Sequence, residues 1–182
     1  MKTIVLDRDG VINHDSDAYI KNPDEWLPIA GSLEAIARLS QAGYRLLVAT
    51  NQSGVARGLF DLERLNAIHQ KMESAIQQHG GRLDGIYYCP HGPNDNCACR
   101  KPRPGLLLQM ERELGIDLQQ SLVVGDSLRD LQAAIAVGAK PVLVLTGKGR
   151  TTLDQISQDQ QIDIYQNLAD FAETLITRPL LD

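Results

Sequence analysis

Met1-Lys-Thr-Ile-Val-Leu-Asp7-Arg-Asp9-Gly10 is the stretch from which the rest of the chain is read. The unbroken apolar run Ile4-Val5-Leu6 suits a strand buried on both faces of a parallel sheet. Asp7 and Asp9 then fall at that strand's carboxyl end, where open α/β sheets bind their ligands. Two carboxylates one residue apart repel each other unless a shared proton or a cation relieves them. Mg²⁺ suits such a pair, because it takes carboxylate oxygens and keeps positions for water and phosphate. Taken alone, the same residues also make an acidic strand-end turn.

The pattern that follows favours the first reading. Gly31-Ser32 opens a helix with Leu33, Ile36, Ala37 and Leu39 at helical spacing, and Gly43 closes it. Leu46–Ala49 forms a second buried strand ending at Thr50. Asp61 caps a helix carrying Leu62, Leu65, Ile68, Met72 and Ile76, stopped by Gly80-Gly81. Gly85–Cys89 is a third strand, Pro104 and Gly115 bracket the next helix, and Leu122–Val124 is a fourth strand running into Gly125-Asp126. A helix through Leu128, Leu131 and Ala134 ends at Gly138, and Pro141–Leu145 is a fifth strand. From about residue 150 the chain is more polar, with a short edge strand at Ile162–Tyr165 and a closing helix at Leu168–Ile176. This alternation predicts an α/β fold with a doubly wound, Rossmann-like parallel sheet of order 3-2-1-4-5. That order sets Asp126 beside Asp7 and Asp9, with Thr50 on the other side.

The 182 residues are expected to form one domain, 1–182, with 150–182 as an extension of it. At 43% hydrophobic and 23% charged, the composition is that of an ordinary globular protein. A net charge of −5 argues against a nucleic-acid surface but leaves room for a small phosphorylated substrate. No apolar run approaches the roughly 18 residues of a membrane span, and no signal peptide precedes the first strand. A cytoplasmic location and a monomer are expected. The three cysteines, Cys89, Cys97 and Cys99, suit a reduced compartment and a metal better than a disulfide framework.

Asp7-Arg-Asp9-Gly, Thr50-Asn-Gln-Ser53, Arg100-Lys101-Pro and Gly125-Asp126-Ser-Leu-Arg-Asp130 all fall at strand ends or in the loop before the fourth strand. With these in order, the sequence resembles the haloacid dehalogenase (HAD) phosphatases. Thr50-Asn-Gln-Ser-Gly-Val-Ala-Arg-Gly58 and Cys89-Pro-His91 make it most similar to the D-glycero-D-manno-heptose 1,7-bisphosphate 7-phosphatases. The resemblance covers residues 1 to about 150. It implies that Asp7 is the nucleophile and forms an aspartyl-phosphate. Asp9 is implied as general acid and then base. Thr50 and Lys101 are implied to stabilise the phosphoryl group, with Mg²⁺ on Asp7, the Asp9 carbonyl and Asp126. Arg8 is expected to point away from the reaction by period-two alternation. Individually these residues have plainer readings: Thr50 as a strand cap, Lys101 as a solvated lysine, Asp126 and Asp130 as acids favoured by a helix N-terminus. The plainer reading is preferred for Asp130.

Cys89-x-His91-x5-Cys97-x-Cys99 supplies three sulfurs and one imidazole, a donor set for a closed, structural tetrahedral Zn²⁺. The loop it pins is rich in Pro, Gly, Asn and Asp, and leads directly into Arg100 and Lys101. Free thiols with an uninvolved histidine are the alternative. His69 and His79 read as helix-surface residues, and His14 is left open.

No insertion is long enough for a large cap domain, so the pocket is expected to be open. By resemblance, Asp15, Ser16 and Tyr19 contact the sugar; Asn51, Gln52 and Ser53 are also expected to bind substrate, Ser53 or nearby N–H groups assisting Thr50 at the phosphoryl group. Arg100 is implied to bind a second phosphate, for which a guanidinium is well shaped; it could otherwise be part of a basic surface pair. The expected reaction is Mg²⁺-dependent removal of the C7 phosphate of the heptose bisphosphate, in ADP-heptose synthesis for the lipopolysaccharide core. Hydrolysis of histidinol phosphate or another small phosphosugar is the alternative. A non-catalytic zinc-loop binding module is a third, disfavoured by the intact Asp7, Asp9, Lys101 and Asp126.

Overall fold

A computed structural model describes residues 2–157 and 161–177. Met1, residues 158–160 and residues 178–182, the last two within the expected C-terminal extension, lie outside the described residues. Six parallel strands form one sheet: β1 (Thr3–Leu6), β2 (Arg45–Asn51), β3 (Gly85–Cys89), β4 (Leu122–Gly125), β5 (Lys140–Val144) and β6 (Asp163–Tyr165). Their order is β3-β2-β1-β4-β5-β6, the expected winding extended by the short edge strand.

Side chains alternate along each strand between two apolar layers, as a period of two requires. Ile4, Leu6, Leu46, Val48 and Val124 face one layer, with α1 (Ser32–Gln41), α2 (Leu62–Gln78) and, near the chain end, a helix over Leu168–Thr177. Val5, Leu47, Ala49 and Val123 face the other, with α3 (Gly105–Leu114) and α4 (Leu128–Ala136). Burying each large aliphatic side chain contributes about 2 kcal/mol, so truncating Ile4 or Leu6 to Ala should cost roughly 2–5 kcal/mol. A short helix not anticipated from the sequence, α5 (Gly149–Leu153), follows β5; the closing helix is α6. No helix among the described residues is long and apolar enough to cross a membrane.

The register fixes where the chemistry falls. Leu6 pairs with Val48 on one side and Val124 on the other, so residue 7 emerges between the ends of β2 and β4. The Asp7 N–H donates to the Val124 carbonyl at 2.9 Å, continuing the ladder one residue beyond β1. The chain then turns at Gly10, whose φ of +84° is in the left-handed region that glycine adopts without strain.

Candidate active site

Four ionisable side chains converge above β1 and β4. Carboxylate oxygens of Asp7, Asp126 and Asp130 lie within 4.8 Å of one another. Lys101 reaches in from the loop before α3, its Nζ 3.0 Å from Asp7 Oδ1 and 2.5 Å from Asp130 Oδ1. It also donates to the Ala49 carbonyl at 2.6 Å. Asp130 does more than favour a helix terminus. It closes a capping box with Ser127 at the start of α4 and is the second carboxylate on Lys101. Three acids against one ammonium leave the cluster two negative charges in excess, which a divalent cation would cancel. The site fits Mg²⁺ in this respect, with Asp130 as a third carboxylate beside the expected Asp7 and Asp126.

Burial, followed by the Asp130 charge, raises the Asp7 carboxyl well above the ordinary range, against the pull of Lys101. Burial and Asp130 push Asp126 up to about 7, opposed by the Lys148 backbone N–H. Burial alone would lower Lys101, but Asp130 and Asp7 outweigh it, so the ammonium stays charged. The Asp126 carboxylate also fills the space beside two glycines, Gly10 and Gly147. A Cβ at either would run into it. The segment after β5 wraps this corner: Thr146 Oγ1 donates to the Gly10 carbonyl (2.6 Å), Lys148 N to Asp126 Oδ2 (2.8 Å) and Thr152 Oγ1 to the Asp126 carbonyl (2.8 Å).

Asp9 sits apart from the acid cluster. Its Oδ1 accepts from Arg8 Nε (3.0 Å), Arg8 Nη2 (2.9 Å) and Asn13 Nδ2 (2.9 Å), and its Oδ2 from Arg8 Nη2 (3.1 Å) and Gln52 Nε2 (2.9 Å). Burial would raise this carboxyl, but the Arg8 charge and the Asn13 and Gln52 hydrogen bonds outweigh it and hold it below the usual range. Arg8 therefore corrects the expectation from strand alternation. β1 ends at Leu6, the alternation ends with it, and the guanidinium folds back, buried, onto its neighbour. His69 is a second correction. It lies on the inner face of α2, 6% exposed, with Nε2 3.3 Å from Arg8 Nη1. Burial and then the Arg8 charge lower its pKa to about 3.

A cavity of about 330 Å³ opens over these groups, lined by Asp7, Asp9, Asp15, Ser16, Tyr19, Thr50, Asn51, Gln52, Ser53, Arg100, Lys101 and Asp126 among others. The expected catalytic and substrate-contact residues thus share one cavity, though several side chains are already engaged. Thr50 Oγ1 accepts from Gln52 Nε2 at 2.9 Å, leaving its own proton available. The Asn51 amide brackets the Lys101 backbone, accepting from its N–H (3.0 Å) and donating to its carbonyl (3.1 Å). Asp15 pairs with Lys148 at 3.1 Å. Tyr19, at a φ of +66°, lies under the Arg57 guanidinium, 5.9 Å from the ring centroid. Arg57, Arg129 and Lys148 also line the cavity and were not singled out in the sequence. Arg57 sits within the Thr50–Gly58 match and Arg129 within the Gly125–Asp130 motif, which were the signals available for them; Lys148 stands in an ordinary loop context.

The zinc-type ligands also come together. Cys89 Sγ is 3.5 Å from His91 Nδ1, 3.6 Å from Cys97 Sγ and 3.1 Å from Cys99 Sγ, and His91 Nδ1 is 3.3 Å from Cys99 Sγ. A tetrahedron with Zn–S bonds of about 2.3 Å has edges of roughly 3.7 Å, so the four atoms need only small outward shifts to fit the ion. Burial pushes the Cys89 thiol up to about 12, a penalty on the thiolate that a bound cation would reverse. The loop also delivers Arg100, whose Nη1 donates to the His91 carbonyl at 3.2 Å.

Known proteins resemble this chain over nearly its whole length. The HAD-hydrolase-like family matches residues 98–171. A D-glycero-beta-D-manno-heptose-1,7-bisphosphate 7-phosphatase of Bordetella bronchiseptica is 56% identical over 176 residues, covering 97% of this chain and 98% of its own. A crystal structure of a B. bronchiseptica D,D-heptose 1,7-bisphosphate phosphatase, complexed with magnesium and phosphate, superimposes with a TM-score of 0.94 at 55% identity, covering 97% of this chain and 99% of that one. The D,D-heptose 1,7-bisphosphate phosphatase of Burkholderia thailandensis gives a TM-score of 0.76 at 46% identity, covering 98% and 100%.

Proposed function

The chain belongs to the family of D-glycero-beta-D-manno-heptose-1,7-bisphosphate 7-phosphatases, and from that membership we propose that it hydrolyses the C7 phosphate of this heptose bisphosphate in ADP-heptose synthesis for the lipopolysaccharide core. The observation that carries the reading is the convergence of Asp7, Asp126 and Lys101 at one rim of the sheet, in a chain with relatives of this identity. Histidinol phosphate is not favoured as substrate by the same relatives.

In the mechanism we infer, an oxygen of Asp7 attacks phosphorus as the bond to the sugar oxygen breaks, giving an aspartyl-phosphate. Asp9 gives its proton to the departing C7 alkoxide. The Asp9 carboxylate then takes a proton from water as that water attacks the phosphoryl group, releasing phosphate and restoring Asp7. An incoming phosphate opposite Asp9 raises the proton affinity of a carboxyl that is otherwise held ionised. Lys101 and Thr50 donate to the phosphoryl oxygens. Asp7, the Asp9 backbone carbonyl and Asp126 are the residues we assign to Mg²⁺, with Asp130 placed to orient Lys101. When bound there, Mg²⁺ offsets the repulsion between carboxylate and phosphate and stabilises charge on the transferring group.

We assign the four-residue Cys/His cluster to structural Zn²⁺, which would hold Arg100 for the second phosphate. Asp15, Ser16, Tyr19 and the Asn51–Ser53 segment are assigned to the sugar side of the cavity. We read residues 1–182 as one catalytic domain, monomeric and cytoplasmic, where its thiols stay reduced. Steady-state turnover with Mg²⁺ on a panel of phosphosugars tests the proposal. The heptose bisphosphate should exceed hexose monophosphates and histidinol phosphate in kcat/KM by about a hundredfold or more, the scale of a lost charged contact to the second phosphate. Equal turnover across the panel would refute the substrate assignment.

A further inference from the structure

We propose that His69 is a positioning residue for this reaction: through the buried guanidinium of Arg8 it holds the Asp9 carboxyl in the orientation from which a proton passes to the leaving oxygen. The inference rests on the acid–base reading of Asp9 given above. It starts from a polar residue in an apolar stripe. Leu65, Ile68, Met72 and Ile76 make the buried face of α2, and His69 lies with them, buried. Its ring packs against Tyr88 at 5.7 Å between centroids.

Arginine carries donors only, so at the 3.3 Å contact His69 Nε2 must accept from Arg8 Nη1. That fixes the ring as the neutral tautomer protonated at Nδ1. A cationic ring could not accept, and the low pKa of His69, from burial and Arg8, keeps it neutral at working pH. The other edges of the guanidinium go to Asp9 through Nε and Nη2, and to Gln52 Oε1 through Nη2 at 3.2 Å. His69 has no hydrogen bond to Asp9 itself. It anchors the far side of the group that grips Asp9, and so limits rotation of the guanidinium. Without an acceptor there, a buried charged donor would turn to find one and carry the Asp9 carboxyl with it.

The test compares kcat/KM, which reports events up to departure of the leaving group, on two substrates. The C7 alkoxide of the heptose bisphosphate needs a proton to leave; the phenolate of p-nitrophenyl phosphate leaves without one. His69→Leu should lower kcat/KM by about tenfold or more on the sugar phosphate, and by less than about twofold on the aryl phosphate. His69→Gln, which restores a neutral acceptor, should recover to within roughly threefold of wild type. Equal losses on both substrates, or on neither, would overturn the proposal. Asp9→Asn reports on the underlying assignment: sugar-phosphate turnover at the wild-type rate in that variant would refute Asp9 as the acid, whatever His69 does. Nitrogen NMR of the unsubstituted protein supplies a reading independent of variant folding. A neutral His69 protonated at Nδ1 is expected, and protonation at Nε2 would overturn the inference.

Discussion

Replacing Asp126 by Asn should make the metal-free protein more stable and the enzyme inactive. Asn preserves the volume of the side chain, and its Oδ1 can still accept from the Lys148 N–H that now meets Asp126 at 2.8 Å. What it removes is a negative charge buried beside other carboxylates. The folded-state pKa of Asp126 is raised from 3.8 to about 7. A carboxyl raised in the folded state binds a proton there that the unfolded chain has already released. Its contribution is therefore intact below about pH 4, is lost as pH rises towards 7, and is a full penalty above that. Roughly three units at 1.36 kcal/mol each give a penalty of about 4 kcal/mol at pH 8, of which relaxation should leave about 2–4 kcal/mol to recover. For a chain of this length that corresponds to a rise in Tm of roughly 4–16 °C, shrinking as the pH is lowered to 5. Magnesium should act on only one of the two proteins. At a hundred times its dissociation constant it should stabilise the wild type by about 2.7 kcal/mol, and it should leave Asp126→Asn nearly unmoved. Thermal melts of both proteins by circular dichroism at pH 8 and pH 5, in magnesium-free buffer or with added MgCl₂, measure these shifts. The reasoning fails if the metal-free variant melts at or below the wild type at pH 8, or if magnesium raises both melting points equally.

Asp7→Asn should abolish turnover, by at least about 10⁴-fold, with an unchanged circular dichroism spectrum; residual turnover near wild type would exclude Asp7 as nucleophile. Atomic absorption should find one zinc per chain, and Cys97→Ser should lose it together with about tenfold or more in kcat/KM on the bisphosphate, while a metal-free but fully active protein would contradict the loop's assigned role. Gly147→Ala places a Cβ against Asp126 at a φ of +53°, so magnesium affinity, read from activity against MgCl₂ concentration, should weaken by about tenfold or more. His69 titrates near 6.5 unfolded but about 3 folded, so below pH 6.5 the unfolded chain gains a proton the native state refuses. Urea titrations should show this one residue removing about 2 kcal/mol between pH 6.5 and pH 5, a loss absent from His69→Gln.

The winding of the sheet was legible because it rests on periodicity and handedness, which are properties of short segments. Ile4–Leu6, Leu46–Ala49 and Leu122–Val124 each read as doubly buried strands, and the right-handed crossover rule ordered them. The meeting of Asp7 and Asp126 followed, since both sit at strand ends. What resisted reading were side chains whose partners lie outside their own segment. Arg8 was assigned by extending β1 two residues beyond its end. His69 read as a surface residue because histidine is at home in either environment. Its place in the 65, 68, 72, 76 stripe was the available signal, and the reason for a polar group there is an arginine far away in sequence. Asp130 stood correctly inside α4, but its pairing with Lys101 depends on a loop that no local pattern positions. α5 escaped because it is a single short turn with few apolar residues.

The wrapping of Thr146, Lys148 and Thr152 around Gly10 and Asp126 has a consequence for biosynthesis. The first strand leaves the ribosome early, yet the corner beside it cannot be finished until α5 has also emerged, because the closing donors belong to that late segment. A nascent chain arrested just short of Thr146 would hold Gly10 and Asp126 without any of the three donors that close this corner.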